Sequence, residues 1–109
     1  MIEIKTLPTD ILITGNYETG VVQIFGKELL PDKSQKVRNH SPDGFSWGYG
    51  GSGPAQLALA ILLEYMSVED AGKYYQEFKR TFVSNLPNSD FPIDLNLQQE
   101  IKNLTNYES

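Results

Sequence analysis

The chain has 109 residues, enough for one compact domain and too few for two. Its formal net charge of −5 and pI near 4.7 set the whole-protein field against phosphate, which excludes broad nonspecific nucleic-acid binding. With no cysteine, disulfides and thiolate metal sites are excluded, while a hydrophobic fraction of 39% with one Trp, six Tyr and five Phe suffices for a core. The start has no basic segment followed by a long apolar run, and the longest apolar run, Leu57 to Leu63, is too short to cross a bilayer. A soluble, cytoplasmic protein with no membrane partner is expected.

Met1 to Lys5 alternates apolar and charged residues, an edge-strand pattern ended by Pro8. Ile11 to Thr14 reads as a strand, Gly15 to Gly20 as a loop, and Val21 to Phe25 as a strand returning antiparallel. Gly26-Lys27 predicts a tight turn into a short strand, Glu28 to Leu30, closed by Pro31-Asp32. Lys33 to His40 contains no acid; if it is extended, the period of two puts Lys36, Arg38 and His40 on one face as a cationic strip. Ser41-Pro42-Asp43-Gly44 has the residues of a β-turn, which would pair 38–40 with 45–47 as a hairpin.

The chain is organised around Phe45 to Pro54, where four glycines, the lone tryptophan and Tyr49 fall within ten residues. As a strand, this segment would put Phe45, Trp47 and Tyr49 on one face. The glycines free the backbone for a tight loop, and Pro54 suits the first helical position. Ala55 to Met66 is apolar on almost every side, so a central buried helix is expected over 54–66. Ser67-Val68-Glu69-Asp70 resembles a capping box opening a second helix, whose stripe runs through Ala71, Tyr74, Tyr75, Phe78, Phe82 and Val83 and ends at Leu86-Pro87. Asn88 to Pro92 reads as a loop. A third helix follows from Asp94 or Asn96 through Leu97, Ile101 and Leu104, with 105–109 as a fraying tail. The whole is a single α+β domain over 1–109, an N-terminal antiparallel β-meander packed on three C-terminal helices.

The run from Arg38 to Ala58 (RNHSPDGFSWGYGGSGPAQLA), with Tyr74-Tyr75-Gln76-Glu77-Phe78-Lys79 and Leu86-Pro87, resembles the signature of a family of small bacterial and phage proteins of unknown function. The resemblance extends from about Tyr17 into the third helix. It implies a cytoplasmic accessory protein of the kind carried on mobile elements, and names no substrate.

Gly48 to Gly53 satisfies G-x-G-x-x-G and precedes a helix, but a second helix follows where a dinucleotide fold needs a parallel strand and an acidic ribose partner. Pro54 likewise stands where a phosphate-binding P-loop needs Lys. What remains is generic anion chemistry: the N–H groups of Gly50, Gly51, Ser52 and Gly53 and of Ala55 and Gln56, the Ser52 hydroxyl and the positive end of a helix, with Lys36, Arg38 and His40 beside them. The glycines serve equally well as a tight strand-to-helix connection, with Gly53 as cap and the Gln56 side chain reaching back to it. Trp47 and Tyr49 suit either stacking on a nucleobase or packing. His40 with Ser41 or Ser52 and Asp43 offers triad residue types without a nucleophile elbow, and one histidine with scattered carboxylates makes no metal site.

Two functions are therefore carried forward, neither enzymatic nor dependent on a cofactor. The first is a binding module for a phosphate-bearing small molecule or nucleotide, held by Lys36, Arg38, His40, Trp47, Tyr49, Gly50, Gly51, Ser52, Gly53 and Gln56. The second is an acidic protein-interaction module anchored on the exposed rim of Trp47 and Tyr49.

Overall fold

The computed structural model describes residues 10–106, so the expected edge strand at Met1 to Lys5 lies outside the described residues, as does the tail beyond Asn106. A four-stranded antiparallel sheet in the order β3-β2-β1-β4 is made by β1 (Asp10–Gly15), β2 (Val22–Ile24), β3 (Lys27–Leu29) and β4 (Phe91–Asn96). The meander β1-β2-β3 follows the sequence reading, with Ile13 opposite Ile24 and Val22 opposite Leu29. Side-chain alternation then sorts the strands: Ile11, Ile13, Val22, Ile24, Leu29 and Leu95 point inward, while Leu12, Gln23, Glu28 and Asp94 point to solvent.

The helices are α1 (Asp32–Val37), α2 (Ser52–Leu63), α3 (Val68–Thr81) and α4 (Leu97–Asn106), with a 3-10 turn at Val83–Asn85 after α3. Every residue of α2 from Gly53 to Leu63 is buried, because the helix lies inside one core shared by the sheet, α1, α3 and the 3-10 turn. It starts and ends earlier than the expected span 54–66, and Tyr65 and Met66 are still buried in the connection to α3. The Ser67 hydroxyl accepts from the Asp70 N–H at 3.1 Å, and Lys79 and Arg80 in the last turn complement the helix dipole. α4 packs Leu97, Ile101 and Leu104 against the core and contacts α3 and β1.

Three expectations require correction. Strands do not all precede helices: the segment expected to be a loop and helix start forms β4, which pairs with β1 along its length from Asp10–Asn96 to Gly15–Phe91. Pro92 is compatible with this because, among the described residues, β4 is an edge strand, where a missing N–H is tolerated. Lys33 to Val37 is helical rather than extended, with Asp32 in its first turn and the Ser34 hydroxyl donating to the Pro31 carbonyl at 2.8 Å. The Arg38–His40 and Phe45–Trp47 segments form no β ladder; residues 38–51 instead cross the core edge as irregular chain.

Candidate functional site

The glycine loop is a packed connection. Trp47 is fully buried, its Nε1 donates to the Ser89 carbonyl at 3.1 Å, and its ring meets Phe91 edge-on at 5.0 Å. It therefore has no exposed rim on which a partner or base can stack. Gly48 has φ +86 and donates its N–H to the Val83 carbonyl at 3.1 Å, and a Cβ there would run into Asn88 Oδ1. Gly53 is pressed against Ser46 Oγ, a close approach that only glycine permits. Tyr49 is half exposed, shares a 2.8 Å hydrogen bond with the Ser46 hydroxyl, and lays its ring beside Gly51. Gly51, rather than Gly53, is the N-cap of α2, so the Ala55 N–H is already spent on the Gly51 carbonyl at 3.0 Å. Ser52 and Gly50 remain exposed.

Gln56 does not reach back to the loop. Fully buried, it accepts from the N–H groups of His40 at 2.7 Å and Ser41 at 2.9 Å, and donates to Ser34 Oγ at 2.9 Å and the Arg38 carbonyl at 3.1 Å. All four hydrogen-bonding positions of the amide are thereby engaged. One side chain of α2 thus holds residues 34–41 in place.

The cationic strip is dispersed by that arrangement. Lys36 stands exposed on α1, while Arg38 continues as extended chain and His40 turns to α3, its Nε2 2.6 Å from the Tyr75 hydroxyl. Gln76 Nε2 donates to the same hydroxyl at 3.2 Å. Burial, and then the charges of Arg38 and Lys79, lower the His40 pKa below its ordinary 6.5. The neutral imidazole is favoured, and its Nε2 meets a tyrosine rather than a serine. Among the described residues, no buried side-chain polar atom lacks a partner, and no three His, Asp or Glu side chains gather in a way that could hold a metal ion.

The β2–β3 turn, expected at Gly26-Lys27, is centred one residue earlier, on Phe25-Gly26, and was not among the candidate site residues. Phe25 and Gly26 occupy its centre with φ +52 and +78, the two positive angles of a type I′ turn, where Asn-Gly is the usual pair. A bulky side chain rarely adopts that conformation, and the Phe25 ring is 58% exposed. Leu30 is 57% exposed at the other end of β3, and between them an open groove of about 620 Å³ is walled by Ile24, Leu29, Tyr65 and Lys33. The available signal was the sequence Ile24-Phe25-Gly26-Lys27, in which Phe takes a turn position that favours Asn or Asp.

The outer face of the sheet adjoins this turn. The Phe25 N–H donates to the Leu12 carbonyl at 2.9 Å, and Leu12 is itself 39% exposed.

Residues 14–106 match the model of a family of unknown function, DUF6166. The chain belongs to this family. No curated protein and no solved structure matches the chain. The DUF6166 match runs from the last residues of β1 to the end of α4, so it contains the β2–β3 turn, the Gln56 anchor and the glycine loop. Among the described residues no helix is long and apolar enough to cross a membrane.

Proposed function

We propose that this DUF6166 protein is a non-enzymatic interaction module that docks on a polypeptide partner through its β2–β3 hairpin, with Phe25 as anchor. The observation that carries the reading is Phe25 itself, where an unfavourable backbone angle and an exposed aromatic ring coincide. Folding alone favours Asn there, so the phenylalanine is best explained by what it touches outside the chain. The exposed Leu30 and the groove beside it extend the contact surface. Residues directly opposite in an antiparallel pair share a face, so two of the three registers by which a second copy could pair with the β3 edge set Lys27 against Lys27 or Glu28 against Glu28, and the third sets Leu29 against Leu29.

The test is capture from cells with wild-type protein and Phe25→Asn as baits. A partner held by the wild type is expected to be lost with Phe25→Asn, although that variant melts no lower. Undiminished capture by Phe25→Asn refutes the reading.

A phosphate-bearing ligand at the start of α2 is the second reading. It rests on the exposed Gly50 and Ser52 at the start of α2 and on the exposed Arg38, whose carbonyl is held by Gln56 of the same helix. It expects ATP or inorganic phosphate to raise the melting temperature of the wild type but not of Arg38→Glu, and equal melts with and without these ligands would end it. An accessory role on a mobile element, as the family resemblance implies, accommodates both readings.

A further inference from the structure

The hydrogen-bonded chain that links α3 to residues 38–40 ends in donors alone. The hydroxyl of the buried Tyr75 has two partners, Gln76 Nε2 at 3.2 Å and His40 Nε2 at 2.6 Å. An amide nitrogen only donates, so the hydroxyl accepts from Gln76 and finds in His40 Nε2 the acceptor for its own proton. A neutral imidazole that accepts at Nε2 carries its proton on Nδ1. That Nδ1–H has no partner among the described residues, yet no buried side-chain polar atom there is left unpaired, so the donor is open to solvent. Two cations flank it. Arg38 stands two residues earlier in extended backbone, and Gln56 holds both its carbonyl and the His40 N–H. Lys79, half-buried, follows Tyr75 by one turn of α3. The charges of both reach the imidazole, and the groups that shift it include no carboxylate. Among the described residues neither cation's side chain has an ion pair or hydrogen bond; Glu77, the acid of the same stretch of α3, is 3.1 Å from Arg80 instead. Three donors thus meet without an acceptor, in a chain where acids outnumber Lys and Arg by 14 to 9.

We infer that His40 Nδ1–H, the Arg38 guanidinium and the Lys79 ammonium together bind the terminal phosphate of a phosphate monoester. The two fixed positive charges match a dianion, the guanidinium offers it a planar pair of N–H groups, and the neutral ring adds a directed donor. A phosphodiester carries one charge and has two oxygens blocked, so it leaves one cation unmatched. The site uses no N–H of the glycine loop and no residue of the β2–β3 hairpin. It shares only Arg38 with the ligand proposed at the start of α2, and stands whether or not the hairpin docks a partner.

The test is NMR of the full chain above neutral pH at constant ionic strength, with inorganic phosphate, glycerol phosphate and dimethyl phosphate as probes. Before any probe is added, the imidazole nitrogens of His40 should report the Nδ1–H tautomer; Nε2–H would remove the directed donor and overturn the inference. Inorganic phosphate and glycerol phosphate should both shift the imidazole and the amides of Arg38, His40 and Lys79 saturably, and dimethyl phosphate should bind on the order of tenfold more weakly. Binding of inorganic phosphate alone would overturn the assignment to an ester, and equal binding of dimethyl phosphate the assignment to a dianion. Lys79→Gln and Arg38→Gln remove side chains that make no hydrogen bond or ion pair among the described residues, so both should melt as the wild type does while weakening glycerol phosphate on the order of tenfold each. Lys27→Gln, remote from the site, should change it by less than about twofold. Equal weakening by Lys27→Gln, or no saturable shift, would overturn the inference. Shifts centred on Gly50 and Ser52 that survive Lys79→Gln would overturn it too, while leaving the reading at the start of α2 in place.

Discussion

Gln56→Met is the substitution that most directly tests how the functional half of the chain is held. Methionine matches glutamine in length and fits the same buried slot, so lost packing contributes little. The loss is polar: acceptors for the His40 and Ser41 N–H groups vanish, as do donors to Ser34 Oγ and the Arg38 carbonyl. Each bond contributes about 1 kcal/mol net, and a buried group left unpaired costs about 1–3 kcal/mol. Some of the freed groups can reach water once the segment loosens, so the loss should be about 3–5 kcal/mol. For a chain of this size that corresponds to a fall in Tm of roughly 12–20 °C. Urea unfolding with amide hydrogen exchange reads both parts of the argument, since protection at His40 and Ser41 should fall before that of the α2 interior. A loss below about 1 kcal/mol with protection unchanged would show that residues 34–41 are held by something other than this amide.

Gly48→Ala should destabilise by about 2 kcal/mol or more in urea melts, because φ +86 strains any L side chain and the new Cβ strikes Asn88 Oδ1; adding Asn88→Gly should recover the steric part only. Phe25→Asn should leave stability unchanged or raise it by up to about 1 kcal/mol, as the turn gains a residue suited to positive φ, and a clear loss would mean that the ring supports the fold. The lowered pKa of His40 means that the unfolded chain binds the proton more tightly, so its contribution to stability is present above the unfolded value of 6.5 and is lost as pH falls from there through the folded value. Thermal melts between pH 7.5 and 5.5 should show that slope, and His40→Gln should flatten it.

Where one local signal and the packing agreed, the sequence was legible. The β-meander, the all-round apolar α2 and the Ser67 cap of α3 each follow from composition at their own positions. β4 was not, because Pro92 and Asp94 read as turn and helix-start residues. Its real pattern, Phe91, Ile93 and Leu95 inward with Pro92, Asp94 and Asn96 outward, makes sense only as an edge strand beside β1. α1 was missed for a related reason: the spacing of Lys36, Arg38 and His40 suits a strand, but Pro31 and Asp32 start a helix that ends at Val37 and scatters the three cations. The role of Gln56 could not be read from spacing at all. One glutamine in an apolar helix marks a wet edge or a buried anchor equally well, and its partners lie 15 to 22 residues away.

The residues that looked most chemical, Trp47, Gly48, Gly53 and Gln56, are committed to contacts inside the molecule, and altering them should cost stability first. The β2–β3 turn behaves in the opposite way: its central residue exposes a large ring at an angle that disfavours it. A turn shaped only by folding would be free to place Asn at position 25. The ring borders the groove lined by Leu29, Leu30 and Tyr65, so the proposed docking contact would account for a residue choice that internal packing does not explain.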